Sequence, residues 1–509
     1  MSSANRIVKN TGFLYGKMAI TVFISLYTTR LILASLGASD YGIFNVIGGA
    51  ISMLAFLNST MASATQRFMN YSEGEGNKEK QKTIFNVSIV MHFTVAILFC
   101  FIMAIAYFFL FNGVLNIPED RMLAAKWVYL GMVLSTTFTV MSVPYDAAIN
   151  AHENMLYYAI IGIFESLLKL AIAFYVSYTM MDKLIVYGIL MACIPFISLS
   201  IMRIYCHHHY SECIISIKKY WNKGIFWEML SFTGWNFLGS ASSLVGNYGI
   251  GLVMNYFYGT VLNAAQGIAT QVQGQLMAFS KNMLKALSPQ IAKSEGEGKR
   301  ERMLYVSAIG NKFSFFLFSL LAFPVIFNTN FLFCIWLVKV PQWAVIFTQL
   351  QLIRILIEQT TAVYHTSIQA EGHIASYNRM VIFLDLLPIV LIYYLFSLGF
   401  SPVTFYVVTI CVFGIGKANL KVYFMKRNCG MSYCYFWENV LKPMLIITFF
   451  VCVICFPFLY LMEESFSRFL LVSFFSLTSC IIGIWLWGLG GKEKVYVIDV
   501  ISNFIRRHS

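Results

Sequence analysis

Long apolar stretches, broken by short polar connections, recur along the whole chain, near 11–35, 41–66, 83–111, 122–145, 155–180, 184–206, 225–257, 259–287, 304–330, 341–368, 374–398, 402–425, 443–462 and 467–490. Each is long enough to cross a hydrocarbon core of roughly 30 Å as a helix of about 20 residues. The runs are continuously apolar, without the period-two alternation of barrel strands, so the pattern predicts helices. The expected fold class is an all-α polytopic membrane protein with about 14 transmembrane helices. Arg6 and Lys9 lead straight into the first span with no small-residue cleavage site behind a short apolar region. That span is therefore expected to stay as a helix.

Composition narrows the class further. Of 509 residues 59% are hydrophobic and 12% charged, about half the charge of a soluble chain. A soluble enzyme would need a charged surface that this sequence cannot supply. Eleven cysteines give no redox signal, and Cys452 and Cys455 read as small hydrophobic residues in a span rather than as metal ligands. The formal net charge is +13, and most of it falls on one set of connections: Lys78, Lys80 and Lys82, then Lys218, Lys219 and Lys223, then Lys293, Lys299, Arg300 and Arg302, then Lys426 and Arg427. The positive-inside rule puts these loops and both termini in the cytoplasm. The charge is thus topogenic, and no polar stretch is long enough for a nucleic-acid-binding domain.

A duplication organises the chain. Ser72-Glu73-Gly74-Glu75-Gly76 recurs as Ser294-Glu295-Gly296-Glu297-Gly298, an offset of 222 residues. Tyr145, Ile149, Asn150, Ala151 and Tyr158 are echoed by Tyr364, Ile368, Gln369, Ala370 and Tyr377 at an offset of 219. Each five-residue copy follows the second span of its half. The chain therefore divides into a six-helix lobe at 1–217, a second at 218–440, two extra helices at 441–490 and a basic cytoplasmic tail at 491–509. Six is even, so the repeats run parallel about an axis along the membrane normal, a transporter architecture.

Ionisable groups at membrane depth are costly and mark candidate sites. They are Lys17 and Arg30 in the first span, Glu165 and Lys169 in the fifth, Arg354 and Glu358 in the tenth, Asp385 in the eleventh, and Lys417 and Lys421 in the twelfth. Glu165 with Lys169, and Arg354 with Glu358, are spaced to pair on one helix face. Arg354, Glu358, Thr361 and His365 form a polar stripe whose repeat counterpart is Ser135, Thr139, Ser142 and Asp146. Such a stripe faces either protein or a wet cavity. Asn236, Ser240, Ser243 and Asn247 make a second stripe, and Asn263, Gln266, Thr270 and Gln273 a third, with Gln271 and Gln275 beside it. Amides and hydroxyls suit sugar hydroxyls, whereas Lys17 and Arg30 lack a carboxylate in their own span and call for an anionic partner. Candidate substrate-binding residues are Arg30, Lys17, Asn236, Asn247, Gln266, Gln273, Arg354 and Glu358. No nucleotide-binding Gly-x4-Gly-Lys-[Ser/Thr] loop occurs, and the longest outer connection is too short for a catalytic site. The sequence therefore reads as a non-enzyme with no cofactor and no metal.

The segment from Arg30 to Phe44, with Leu36-Gly37 followed by Asp40-Tyr41-Gly42, resembles the signature of bacterial polysaccharide transport proteins. These are the Wzx-like O-antigen and capsule flippases of the multidrug/oligosaccharidyl-lipid/polysaccharide exporter (MOP) superfamily. The resemblance implies an inner-membrane protein that moves an undecaprenyl-diphosphate-linked oligosaccharide to the outer leaflet, in the bilayer and alongside other polysaccharide assembly proteins. It implies a diphosphate contact for Arg30. Drug exporters of the superfamily often carry an acidic coupling residue in the first helix, and this first helix has no Asp or Glu. A cation-coupled multidrug exporter and a membrane glycan polymerase or ligase are the competing readings.

Overall fold

The computed structural model describes residues 3–52, 55–111, 117–258, 260–337, 340–491 and 493–495. Among these the regular structure is helical throughout. The first half holds α1 (Ser3–Ser52), α2 (Ala55–Glu75), α3 (Lys78–Phe109), α4 (Met122–Ala151), α5 (Met155–Tyr178), α6 (Lys183–His209) and the short α7 (Ile217–Tyr220). The second half holds α8 (Lys223–Tyr258), α9 (Thr260–Gly296), α10 (Arg300–Phe327), α11 (Thr329–Trp336), α12 (Ala344–Gln359), α13 (Tyr364–Glu371), α14 (Ile374–Ser397), α15 (Thr404–Thr409) and α16 (Lys417–Cys429). A π-helix over Ile410–Gly416 joins α15 to α16, and α17 (Tyr433–Phe436), α18 (Lys442–Leu461) and α19 (Phe466–Gly483) follow.

Among the described residues, 10 helices are long and apolar enough to cross a membrane. The other expected spans fall on α1 and α2, on the amide-rich α9, and on α12 with α13, which a break at 360–363 separates. Large apolar side chains point outward: Phe23 is 76% exposed and Phe449 72%. Such surface suits lipid and not water. Helix starts follow their local chemistry, with Asn77, Asn154, Asp182 and Ser465 side chains accepting from the first-turn amides of α3, α5, α6 and α19.

The duplication is visible in the backbone. Gly76 and Gly298 end their copies at φ 69° and 71°, a left-handed conformation that glycine adopts without a side-chain clash. Their amides donate to equivalent carbonyls, Glu73 at 3.2 Å and Glu295 at 3.0 Å. Farther on, Glu153 and Gly372, related by the 219-residue offset, both take positive φ. The two copies also touch reciprocally: a methyl group on Gly74 would overlap the Lys293 carbonyl, and one on Gly296 would overlap the Tyr71 carbonyl. Only glycine permits this approach of backbone to backbone.

Two compact units result: Arg6–Phe237 with Ala292–Gly298, and Met1–Asn5 with Leu238–Ile291 and Lys299–Ser509. We call them the N-terminal and C-terminal units. In the N-terminal unit α4 and α6 lie close because Gly131 packs on the Gly188 backbone and Gly188 on Val128, the small-residue contact typical of membrane helices. Gly37 breaks α1 at φ 76°, and Asp40 beyond it receives Arg121 Nε at 2.8 Å. Arg121 Nη1 also reaches Asp182 at 2.7 Å. In the C-terminal unit Lys312 of α10 is buried against Glu493 at 2.7 Å and reaches the Gly488 carbonyl at 3.3 Å.

Candidate functional site

A cavity of about 1090 Å³ opens inside the C-terminal unit, lined from five directions by α8, α9, α12 with α13, α14 and the α15–α16 segment. Its charged lining is Arg354, Lys417, Lys421 and Glu358. The remainder is amide, hydroxyl and aromatic: Asn247, Gln266, Thr270, Gln273, Gln351, Tyr377, Phe413 and others. Three cations against one carboxylate give the wall a positive balance.

Local structure explains how one helix supplies two of the cations. Thr409, Phe413, Lys417 and Lys421 all line the cavity at steps of four. In an α-helix of 3.6 residues per turn, each such step overshoots a full turn by about 40°. The π-helix over Ile410–Gly416 has wider turns with i→i+5 bonds, so the overshoot shrinks and the row stays on one face. Phe413 lies between two cations, with Arg354 5.6 Å and Lys417 4.4 Å from its ring centroid. Its π face stabilises both.

Each charge has a defined setting. Arg354 pairs with Glu358 at 3.2 Å, while its Nε is buried with no hydrogen-bond partner among the described residues. Lys417 forms an ion pair with Asp385, which is 1% exposed on α14. The second oxygen of Asp385 accepts from Ser242 at 2.9 Å and Ser243 at 2.8 Å. Gly246 makes room for that approach, since a methyl group there would meet the Asp385 carbonyl at 2.6 Å. Gln351 donates to Gln273 across the cavity wall, and His365 hydrogen-bonds with Tyr377 at 3.2 Å.

Of the residues singled out from sequence, Asn247, Gln266, Gln273, Arg354 and Glu358 meet in this cavity. Asn236 is buried in the N-terminal unit, so the stripe on α8 contributes only its lower half, Ser243 and Asn247. Lys17 also lies in the N-terminal unit, its ammonium 4.1 Å from the Tyr158 ring centroid and packed on Gly162. The side chains of Arg30 and Asn263 lie outside the described residues. Gln271 and Gln275 face outward and do not line the cavity.

Two readings of the stripes need correction. Arg354, Glu358 and His365 line the cavity, but Thr361 does not, because the helix breaks after Gln359 and Thr361 is fully buried in the break. Arg354 and Glu358 pair as their spacing predicts, whereas Glu165 and Lys169 form no ion pair with each other among the described residues. In the sequence Lys417, Lys421 and Asp385 stand out only as costly charges and Tyr377 only as a repeat position, while Phe413 and Gln351 carry no signal. The one available hint was the four-residue spacing from Thr409 to Lys421.

The fold is that of known transporters. The chain resembles the outward-facing conformation of a multidrug-resistance MATE family transporter of the MOP superfamily, with a TM-score of 0.68 at 12% identity over 84% of this chain and 96% of that one. A Vibrio cholerae MATE transporter, VcmN, in the bent form matches with a TM-score of 0.66 at 14% identity over 84% and 98%. A MOP-superfamily transporter from Pyrococcus furiosus, whose binding pocket of reversed polarity suggested a different function, matches at 0.69 and 10% identity over 84% and 97%. No family model and no curated protein matches by sequence. The chain thus has a multi-span helical membrane fold similar to that of these transporters.

Proposed function

We propose that this protein is a flippase for an anionic lipid-linked oligosaccharide, carrying an undecaprenyl-diphosphate-linked glycan from the cytoplasmic to the outer leaflet of a bacterial inner membrane by alternating access. The observation that carries the reading is the polarity of the C-terminal cavity. Arg354, Lys417 and Lys421 outnumber Glu358, and a cavity that kept three cations in a low-dielectric wall suits an anionic guest. The amides of Asn247, Gln266 and Gln273 complement sugar hydroxyls, and the resemblance of the Arg30–Phe44 segment to polysaccharide transporters supports the same substrate class. The lipid tail would stay in the bilayer, with assembly proteins of the same glycan as partners, both termini cytoplasmic, and no chemistry performed on the sugar.

The second reading is a cation-coupled multidrug exporter, which the likeness to MATE structures favours. Cationic drugs would meet a cavity of their own sign, and the first helix offers no carboxylate. Reconstitution into proteoliposomes with a fluorescent lipid-linked glycan decides between them. The flippase reading expects glycan translocation that Arg354→Ala lowers about a hundredfold; efflux of cationic dyes without glycan translocation would overturn it.

A further inference from the structure

Asp385 and Lys417 are arranged asymmetrically about the cavity. Lys417 lines it, with its side chain 22% exposed, whereas Asp385 sits behind it at 1%. An anion in the cavity can therefore reach the ammonium but not the carboxylate. Among the described residues Asp385 Oδ1 is held by Lys417 alone, while Oδ2 holds the Ser242 and Ser243 hydroxyls. Besides that lysine, the charged or titratable groups facing this pair around the cavity are Arg354 and Glu358 from α12, His365 from α13, Tyr377 from α14 and Lys421 from α16. Arg354 and Glu358 already neutralise each other.

We propose that Asp385 is a proton-binding site coupled to anion binding through exchange of Lys417. A phosphate oxygen entering the cavity takes the Lys417 ammonium as its counter-ion, and the Asp385–Lys417 pair breaks. A buried carboxylate left without its cation is strongly disfavoured, so Asp385 takes one proton from the aqueous phase on Oδ1. Oδ2 keeps both serine hydroxyl donors throughout, which fixes the side chain in place. When the anion leaves, Lys417 returns and the proton departs. One anionic charge and one proton are thus bound together, and anion affinity rises as pH falls, by up to tenfold per pH unit. This inference rests on the flippase reading for its choice of an anionic guest.

The test uses the full chain in nanodiscs with farnesyl diphosphate as probe. Isothermal titration in buffers of different ionisation enthalpy gives the protons taken up per anion bound. Wild type is expected to take up about one proton more than Asp385→Asn, which cancels the probe's own titration and preserves the shape and both serine bonds. Infrared difference spectra provide the second readout: in wild type a protonated-carboxyl C=O stretch appears on anion binding, and it persists in Glu358→Gln. Equal proton uptake in wild type and Asp385→Asn, or no such band in wild type, overturns the exchange while leaving the flippase reading intact. Failure of wild type to bind the probe, or binding undiminished in Arg354→Gln and Lys421→Gln, overturns the flippase reading itself.

Discussion

The two units contain cavities of opposite character on helices that the duplication relates. In the N-terminal unit a space of about 290 Å³ is lined by Phe44, Ile51, Met132, Ser135, Thr136 and Met191 with their neighbours, and by no charged side chain among the described residues. In the C-terminal unit the cavity is about 1090 Å³ and holds four charged side chains. The 219-residue offset places Ser135 opposite Arg354, Thr139 opposite Glu358, Ser198 opposite Lys417 and Met202 opposite Lys421. In the N-terminal copy two of the hydroxyls bond back to their own helix, Thr139 to the Ser135 carbonyl at 2.9 Å and Thr136 to that of Met132 at 2.9 Å. Their hydrogen-bonding capacity is spent locally. At the same register, one copy thus carries hydroxyl and apolar side chains and the other carries charged ones.

The sharpest way to break this comparison is to treat equivalent positions alike. Arg354→Ala is expected to lower glycan translocation about a hundredfold, since removing one partner of a buried charge pair costs about 2–5 kcal/mol. Ser135→Ala should change it less than about twofold, because the cavity it lines holds no charged side chain among the described residues; equal losses at both positions would end the division of labour. Next in size, Ser135→Arg with Thr139→Glu would import the C-terminal pair at the equivalent register, with the arginine entering the smaller cavity that Ser135 lines. Overpacking there should cost about 1–3 kcal/mol in thermal unfolding, with no gain in transport.

Gly74→Val and Gly296→Val test where the two copies still behave identically. Each should destabilise the protein by a similar amount, about 1–3 kcal/mol, because each side chain meets the other copy's carbonyl. A loss at only one of them would show that the contact is not reciprocal. Arg121→Ala in the N-terminal unit leaves Asp40 and Asp182 unpaired and should cost about 1 kcal/mol, the scale of a partly exposed pair. Its transport should persist.

The smallest effect concerns pH. Burial alone would raise the Glu212 carboxyl, but the hydrogen bond and charge of His152, with help from Lys78, hold it below the usual carboxylate range. A depressed acid contributes stability that is present above its unfolded pKa of about 4.3 and is lost as pH falls through the folded value. Melting temperature should therefore decline in acid, and Glu212→Gln should flatten part of that decline. An unchanged acid limb would remove Glu212 from the account.

Much of the helix layout was legible because hydrophobic length is a local property. The span at 259–287 falls on α9, whereas the α12–α13 break escapes because a four-residue interruption does not change the average polarity enough. The buried charges were legible as individuals and illegible as pairs. Arg354 and Glu358 are one turn apart, so spacing revealed their bond. Lys417 and Asp385 are 32 residues apart, and Lys312 with Glu493 181 apart. No periodicity in the sequence marks Lys312.

By itself the sequence determined the solvent of this protein, its helical class and its duplication, since these follow from apolar run length and from the identity of two short segments. Tertiary structure decided what the charges do. It gathered Arg354, Lys417 and Lys421 on one wall, moved Asn236 and Lys17 to the other unit, and made Asp40 of the signature a structural partner for Arg121. The physical reason is that a buried charge must find its partner through space. In a bundle of helices that partner lies wherever packing brings two faces together, at a separation no periodicity records.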